Sequence, residues 1–374
     1  MSYKVMHLLN HLKIGGAETL VTEYALHIDK NNFESIYVTL ASRNETANER
    51  KLIQAGMKII FLGDEDVFPN ASNKFKRMIN KIHRHLVFHK IVKREKPNII
   101  HTHLNTNSYV ISINSKRNKI KLFHTVHSEV KSAFKRMTQR LSTKYCINRK
   151  GMVPITLHTK MQEDVNDLFR IKNSLVLPNA INLSRFSNPN KKRRETMNSL
   201  GITTDNLFVI GHVGRFVESK NHKLLIDIFA KVKSKRKNAY LLLIGVGQME
   251  EEIMEKIIKL GLQNNVSFLG NREDIPDLMS AMDVFVFPSI HEGFGNVLIE
   301  AQAAGIRCVA SDRIPKEAFV TNLITSVPLE NSVENWAEIV ANDNYPKKVE
   351  GNLSKHDIRR VIKELENIYL YAGE

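Results

Sequence analysis

Several features are scarce or missing in this chain of 374 residues, and each excludes a class of protein. The two cysteines, Cys146 and Cys308, are too few for a disulfide framework, so we expect a reducing compartment. No low-complexity tract is present, and hydrophobic and charged fractions of 42% and 25% exclude a disordered or fibrous chain. No apolar run approaches the ~18 residues of a membrane-spanning helix. The short apolar stretch at the N-terminus, interrupted by Lys4, predicts a strand rather than a signal peptide.

Basic residues, by contrast, are in excess, and the excess is confined to the first half of the chain. The formal charge is +16, yet residues 1–185 hold 31 basic and 14 acidic side chains while the remainder holds 24 and 25. Residues 74–96 carry nine Lys or Arg with one acid, and residues 131–150 carry seven with none. Such an excess predicts an anionic partner: nucleic acid, an acidic membrane face or phosphorylated substrates.

Apolar strand patterns alternate with helical patterns in both halves, which predicts an α/β fold with parallel sheets. A polar, turn-rich stretch at 178–206 separates the halves and marks the linker near its start. We therefore expect two Rossmann-like domains, 1–182 and 183–354, followed by an amphipathic helix in 355–374. Because ligands bind at the carboxyl ends of strands in open sheets, two facing domains predict one cleft between them.

The strongest motif runs from His291 to Glu300, follows a predicted strand and opens a helix. Its glycines, Gly293 and Gly295, let backbone N–H groups approach a ligand, and the helix N-terminus favours negative charge. Glu292 precedes the helix and Glu300 lies just over two turns later, so the two carboxylates would address separate parts of an extended ligand. A sugar hydroxyl, phosphates and a ribose diol fit that arrangement.

Together with other motifs, this segment resembles the retaining glycosyltransferases of family four, which have the GT-B fold and include bacterial polysaccharide and lipopolysaccharide enzymes. The resemblance covers nearly the full chain. Besides the two-glutamate motif it rests on Gly15-Gly16-Ala17-Glu18, Pro178-Asn179, and Gly214-Arg215 with Lys220. It implies two facing Rossmann-like domains, with the final helix crossing back to the first domain.

The resemblance also implies roles for individual residues. Arg215 and Lys220 would neutralise a diphosphate leaving group and so take the place of the usual metal ion. No metal or other cofactor is therefore expected. Glu300 would bind the nucleoside ribose and Glu292 the donor sugar. Backbone groups of three consecutive residues would lie beside the sugar and phosphates, and those are Phe294, Gly295 and Asn296. Gly15 and Gly16 would bring N–H groups to the same phosphates, although a plain strand–helix turn also explains them.

Histidines are frequent in the first half, and one has a counterpart in the resembling family. His127, placed at the end of a predicted strand, would orient the donor sugar as a catalytic residue, with His124 as the local competitor and a structural role as the alternative. His101 and His103 share a strand face, a spacing that suits a metal, but without nearby Cys or acid we favour packing or cleft lining. Three histidines within the basic stretch 74–96 are expected at the surface: His83, His85 and His89.

Two further features remain to be assigned. Asp64-Glu65-Asp66 matches an Asp-x-Asp metal pattern of another glycosyltransferase class, and we expect it to lie in a turn without a metal. The helix around 74–96 has a basic face and an apolar face, with Phe75, Met78, Ile79, Ile82, Leu86 and Val92 near helical spacing. It therefore predicts either an anionic membrane surface as a partner or an ordinary helix with one buried face.

The sequence thus predicts a hexosyl- or N-acetylhexosaminyltransferase that uses a nucleotide-sugar, most simply a UDP-sugar, and a glycan or lipid-linked acceptor. Its setting would be capsule or other polysaccharide synthesis in the cytoplasm, peripheral on the inner membrane face. A nucleotide-sugar epimerase of similar two-domain fold stays an alternative. A nucleic-acid-binding protein is disfavoured because the basic helix has few aromatics and no recognised binding module is present.

Overall fold

The computed structural model describes residues 2–187, 192–344, 346 and 349–372. The chain divides into two compact units, the first Met1–Ala180 with Ile358–Glu374 and the second Ile181–Asp357. Each unit is a parallel sheet with helices packed against it, as the alternating patterns predicted.

Unit 1 contains a seven-stranded parallel sheet with strand order β3-β2-β1-β4-β5-β6-β7. Its strands are β1 (Tyr3–Leu9), β2 (Phe33–Thr39), β3 (Lys58–Phe61), β4 (Ile99–His103), β5 (Lys121–Thr125), β6 (Val153–Thr156) and β7 (Leu175–Val176). Its first six helices are α1 (Gly16–His27), α2 (Ala47–Gln54), α3 (Lys74–Glu95), α4 (Val130–Ala133), α5 (Met137–Lys150) and α6 (Thr159–Phe169). Helix α3 begins where the Asn73 side chain accepts a hydrogen bond from Lys76 N, and it ends before Pro97.

Unit 2 contains a six-stranded parallel sheet with order β10-β9-β8-β11-β12-β13. Its strands are β8 (Phe208–Val213), β9 (Ala239–Ile244), β10 (Val266–Phe268), β11 (Val284–Phe287), β12 (Arg307–Ser311) and β13 (Ile324–Val327). Its helices are α7 (Leu183–Ser187), α8 (Arg193–Ser199), α9 (His222–Lys235), α10 (Glu250–Lys259), α11 (Ile275–Ser280), α12 (Asn296–Ala303) and α13 (Val333–Ala341). Trp336, the only tryptophan of the sequence, is fully buried in this unit's core.

The two sheets share one topological feature, which is a reversal of strand order beside the first strand. In unit 1 the reversal lies between β1 and β4, where Val5 pairs with Ile99. In unit 2 it lies between β8 and β11, where Ile210 pairs with Val284. The connections that leave these neighbouring strands run to opposite faces of the sheet, which opens a crevice at the carboxyl ends of the strands. A ligand site is therefore expected at each reversal.

The last helix, α14 (Ile358–Tyr371), packs into the core of unit 1 although the chain reaches it from unit 2. Its buried side chains lie along one face at helical spacing and comprise Ile358, Val361, Ile362, Leu365 and Tyr369. The Tyr369 hydroxyl lies 2.7 Å from His101 Nδ1, and the Lys121 ammonium donates to the Leu370 carbonyl at 2.7 Å. Unit 1 is thus built from both ends of the sequence.

Some local expectations were wrong. The stretch at 178–206 is not simply turn-rich, since it contains α7 and α8, while residues 188–191 lie outside the described residues. Strand β5 ends at Thr125, so His127 lies two residues beyond the strand rather than at its end. His85 is not a plain surface residue, because its ring stacks on Tyr109 with centroids 3.9 Å apart.

We predict that Leu365→Ala destabilises unit 1 by about 2–4 kcal/mol, because it leaves a cavity in a core that β1 and α1 share. Urea unfolding followed by hydrogen exchange of peptides from β1 and α1 measures the effect. Lys363→Ala, which changes an exposed position of the same helix, is the control and should leave that exchange unchanged. Equal stability of both variants would contradict the packing role of α14.

Candidate functional site

An ion pair joins the two loops at the strand-order reversal of unit 2. Lys220 Nζ, at the end of the loop after β8, lies 2.5 Å from Glu292 Oε1 in the loop after β11. The two side chains are only 16% and 11% exposed, so solvent screens their attraction weakly. A backbone hydrogen bond of 2.8 Å from Ile290 N to Ser219 O joins the same loops. The reversal thus holds one fixed cation beside one fixed carboxylate.

A glycine turn packs against Lys220 and directly precedes a second cation in the sequence. A Cβ on Gly214 would lie 3.3 Å from the Lys220 side chain, so the lysine packs against the turn. Gly245 packs so closely that its Cβ would lie 2.1 Å from Gly214 O, which excludes a larger residue there. Arg215, next in the chain, is exposed, and its guanidinium has no ion-pair partner in the described part of the chain. Its charge is therefore available to an anionic ligand.

Apart from Glu292, the groups found around Lys220 are an aromatic ring and two neutral imidazoles. The ammonium lies 4.7 Å from the centre of the Phe287 ring. Burial lowers the pKa of His212 to about 4, and it also holds the pKa of His222 far below its usual value. Both imidazoles are therefore neutral near pH 7, and a low-dielectric setting strengthens the electrostatic interactions of Lys220.

Helix α12 begins directly after the glycine motif and has no side-chain hydrogen bond at its N-cap. Its N-cap, Gly295, has φ +91°, a left-handed conformation that glycine adopts without strain. The Phe294 side chain is buried, with its ring 5.3 Å from that of His356, so only its backbone faces the loop. Asn296 starts the helix, and Glu300 is half-buried in its second turn. The arrangement suits an anion bound by backbone N–H groups.

His127, the histidine predicted to be catalytic, lies in unit 1 just beyond β5. Its Nε2 lies 3.0 Å from His103 Nδ1, and burial lowers its pKa to about 3, so the ring is neutral. The competitor His124 is buried with its Nδ1 2.9 Å from Thr102 Oγ1. His101 and His103, expected to serve in packing or to line the cleft, are completely buried, which favours packing.

The glycines after β1 already have a carboxylate beside them. Glu18, in the first turn of α1, is buried, and a Cβ on Gly15 would lie 2.5 Å from its Oε2. Glu18 Oε1 also lies 3.4 Å from His11 Nδ1. A phosphate beside Gly15 or Gly16 would meet this negative charge, so their phosphate contact stays a prediction.

The acidic run at 64–66 makes protein contacts. The segment is a single 3-10 turn, Leu62–Glu65, as the expected turn required. Asp66 binds Arg84 through both oxygens and accepts a hydrogen bond from Asn80, and Asp64 accepts one from Arg43 N. These contacts give both aspartates a structural role.

Helix α3 exposes apolar side chains that an ordinary one-sided helix would bury. Phe75, Met78, Ile82 and Leu86 are between 51% and 66% exposed, while burial is confined mainly to the helix's second half, including Phe88, Ile91 and Val92. The sequence did not indicate a second such row, on α5, where Met137, Leu141 and Tyr145 are 45–63% exposed among basic residues. Both helices flank the 3-10 turn Asn107–Val110: His85 stacks on Tyr109, and Thr143 hydrogen-bonds Asn107. Both exposed rows therefore lie on basic helices of unit 1 that pack against the same turn.

Comparison with known proteins accounts for both units. The model described as "Glycosyltransferase Family 4" matches residues 14–185, and "Glycosyl transferases group 1" matches residues 192–342. The chain belongs to glycosyltransferase family 4. It is therefore a sugar-transferring enzyme, and this assignment favours the transferase over the epimerase alternative.

Relatives and solved structures match it over nearly its full length. EpsF of Bacillus subtilis, named as a glycosyltransferase, is 28% identical over 99% of this chain and 97% of its own. The capsular polysaccharide glycosyltransferase CapH of Staphylococcus aureus is 25% identical over 98% of both chains. HepE of Anabaena, solved with UDP and glucose, has a TM-score of 0.75 at 20% identity, covering 98% of both chains. The predicted GT-B fold is confirmed.

No described helix is both long enough and apolar enough to cross a membrane.

We predict that Gly295→Ala lowers turnover at least tenfold, because a left-handed alanine costs about 1–2 kcal/mol and displaces the start of α12. Turnover with donor and acceptor, alongside thermal unfolding, provides the measurement.

Gly305→Ala is the matched control. Gly305 lies beyond the other end of α12 at φ +73° with open space around it, so it carries the same backbone strain away from the motif. The two variants should lose similar stability, and only Gly295→Ala should lose turnover. Equal turnover losses in the two variants would show that backbone strain at either end of α12 lowers turnover, and would contradict a specific role for the start of the helix.

Proposed function

We propose that this family 4 enzyme is a retaining, metal-independent transferase that moves a sugar from a nucleotide-sugar, UDP being the favoured nucleotide, onto a lipid-linked glycan during bacterial polysaccharide synthesis. The observation that carries the proposal is the contact of Lys220 with Glu292, close in sequence to Arg215, which has no ion-pair partner in the described part of the chain. A sugar diphosphate presents both anionic oxygens and neutral hydroxyls. A cation pair with an adjacent carboxylate matches both kinds of group.

In the proposed reaction the bond between the anomeric carbon and the diphosphate oxygen breaks, and the leaving diphosphate takes the electron pair. Arg215 and Lys220 stabilise the charge that accumulates on that oxygen. Glu292 holds a hydroxyl of the donor sugar, and Glu300 the ribose diol. The acceptor hydroxyl attacks the same sugar face, and its proton passes to the departing diphosphate, so the anomeric configuration is retained without a protein nucleophile.

Named relatives support the choice of substrates. An Escherichia coli relative, 26% identical over 66% of both chains, is named UDP-Gal:alpha-D-GlcNAc-diphosphoundecaprenol alpha-1,3-galactosyltransferase. A Campylobacter jejuni relative, 32% identical over 38% of this chain, is also named for a diphospho-undecaprenol acceptor. A donor activated by UDP and an acceptor carried on a lipid diphosphate are therefore the substrates we propose here.

The basic, apolar surface of α3 and α5 is the proposed contact with an anionic membrane. Exposed apolar residues enter the headgroup region, while neighbouring lysines and arginines bind anionic lipids. Rows of exposed apolar residues among basic ones are typical of a surface that meets a partner or a membrane. The surface would place the enzyme, peripherally, at the inner membrane face where a lipid-linked acceptor is presented.

We predict that Arg215→Ala lowers turnover about 10- to 100-fold while UDP affinity falls much less, because charge grows on the diphosphate only during transfer. Glu300→Gln should instead weaken UDP binding about tenfold. Calorimetry with UDP and initial rates with a UDP-sugar separate the two effects.

The exposed residues Lys259 and Glu255 on α10 supply controls of matching charge, as Lys259→Ala and Glu255→Gln. EDTA should leave the wild-type rate unchanged. A rate that EDTA abolishes and Mg²⁺ or Mn²⁺ restores would contradict metal independence, and unchanged UDP affinity in Glu300→Gln would contradict the ribose assignment.

For the membrane surface, we predict that Phe75→Ser with Ile82→Ser releases the enzyme from vesicles rich in anionic lipid. Replacing Lys74, Lys81 and Lys93 by Gln should weaken binding about 100-fold, at about 1 kcal/mol for each lysine. Vesicle sedimentation at two salt concentrations measures both effects.

Met254→Ser with Ile258→Ser is the matched control, since these exposed apolar residues lie on α10 among acidic residues. It should leave vesicle binding intact, and all variants should still bind UDP. Vesicle binding that survives both α3 variants would exclude α3 as the membrane contact.

A further inference from the structure

Three imidazoles form a continuous hydrogen-bonded chain at the strand-order reversal of unit 1. His7 Nδ1, on β1, lies 3.2 Å from His103 Nε2 at the end of β4. His103 Nδ1 in turn lies 3.0 Å from His127 Nε2 in the loop after β5. The chain crosses three neighbouring strands and ends on the histidine to which the resemblance assigns the donor sugar.

Each ring in this chain is neutral. His7 and His103 are buried, and burial lowers the pKa values of all three imidazoles well below the usual range. A neutral imidazole has one N–H and one unprotonated nitrogen, so it donates one hydrogen bond and accepts one. Within each bonded pair, one ring must donate its N–H and the other must accept through its unprotonated nitrogen. The three tautomers are therefore interdependent, and all must point in the same direction along the chain.

The free end of the chain is a single buried atom. His127 Nδ1 is buried and has no hydrogen-bond partner among the described residues. The neighbouring histidines are bound elsewhere and take no part: His101 binds Tyr369 and Thr125, each at 2.7 Å, and His124 binds Thr102. At the other end, the His7 ring stacks on Tyr37 with centroids 5.1 Å apart and planes within 10°. Packing thus fixes the chain at one end and leaves one nitrogen for a ligand at the other.

We propose that His103, held by His7, is a positioning residue that fixes both the ring plane and the tautomer of His127, so that His127 Nδ1 offers a substrate hydroxyl one constant hydrogen-bonding role. The inference rests on the proposed function for the identity of that hydroxyl, which belongs to the sugar being transferred. A ring of fixed tautomer needs no reorganisation when the substrate binds, which is how such a group contributes to transfer. His103 itself touches no substrate.

A metal ion is the competing explanation for this cluster. One ring nitrogen from each of His7, His101 and His103 lies within 4.8 Å of the others, and three histidines are a familiar zinc ligand set. However, both ring nitrogens of His101 already have partners at 2.7 Å, and His7 and His103 bind each other. A metal would have to displace these hydrogen bonds. The observed distances therefore favour the imidazole chain.

A pair of substitutions at one position tests the proposal. Asparagine carries its polar atoms about where a histidine carries Nδ1, and glutamine about where it carries Nε2. His103→Asn therefore keeps a partner for His127, whereas His103→Gln keeps one only for His7. Both remove the same ring, so a purely structural role for His103 would make the two variants alike.

The first measurement is ¹⁵N NMR of the imidazole nitrogens in the full-length enzyme without substrate, with the signals of His127 assigned from His127→Asn. In the wild type we expect the two nitrogens of His127 to show one neutral tautomer between pH 6 and 8. In His103→Gln their shifts should move toward the average of two tautomers. His124→Asn, which changes a buried histidine outside the chain, should leave the His127 signals in place.

The second measurement is turnover, and it separates this inference from the proposed function. We expect His103→Gln to lower kcat about tenfold, as for loss of one buried hydrogen bond, and His103→Asn to restore most of it with KM little changed. Averaged tautomers in the wild type, equal effects of the two variants, or stoichiometric zinc in the purified enzyme would each overturn the proposal. Should the enzyme transfer no sugar, the NMR result still decides whether the chain of imidazoles fixes the tautomer of His127.

Discussion

The contact between Lys220 and Glu292 is the interaction on which the rest of the C-terminal unit's site depends. It fixes the loop after β8 to the loop after β11 at the one place where neighbouring strands send their connections to opposite faces. Neutral His212 and His222 surround the lysine, so its charge is compensated mainly by the carboxylate of Glu292. A diphosphate that approaches Lys220 would therefore compete with a protein carboxylate, while Arg215, five residues earlier in the sequence, has no ion-pair partner among the described residues.

The two units use the same strand order for different chemistry. At its reversal unit 2 carries the oppositely charged Lys220 and Glu292, and helix α12 begins there with a glycine N-cap. These features suit phosphates and hydroxyls. Unit 1 carries neutral, buried imidazoles at its own reversal, and its large positive charge lies instead on its outer helices. The net positive charge of the protein thus comes from the surface of unit 1 and not from the charged groups at either strand-order reversal.

Much of this could be predicted from sequence because it depends on local patterns. Short apolar runs located most strands, and helical spacing of apolar residues located several helices. The glycine-glutamate motif located the start of α12 within the unit that holds Lys220. The row of lysines between apolar residues identified α3, but only the packing of the unit decides that Phe75 and Leu86 face solvent.

What the sequence did not reveal depends on contacts between distant segments. His7 and His103 are 96 residues apart, and nothing near His7 signals that its ring bonds to another histidine. The spacing of His101 and His103 indicated a shared strand face, yet their neighbours on β1, β5 and α14 gave them different partners. Likewise Glu18 was recognised in the sequence only as part of the motif Gly15-Gly16-Ala17-Glu18. The fold of the loop places its carboxylate against Gly15.

The return of α14 to unit 1 has a consequence for how the polypeptide is made. Unit 2 is contiguous, so all of its residues have left the ribosome once Asp357 emerges. Unit 1 precedes unit 2 in the sequence but lacks Leu365 and Tyr369 until the segment after unit 2 has been translated, so the apolar surface beneath them stays uncovered while unit 2 is synthesised. Of the two units, the one translated first is therefore the last to be completed, and its uncovered apolar core makes its nascent form the more prone to aggregate.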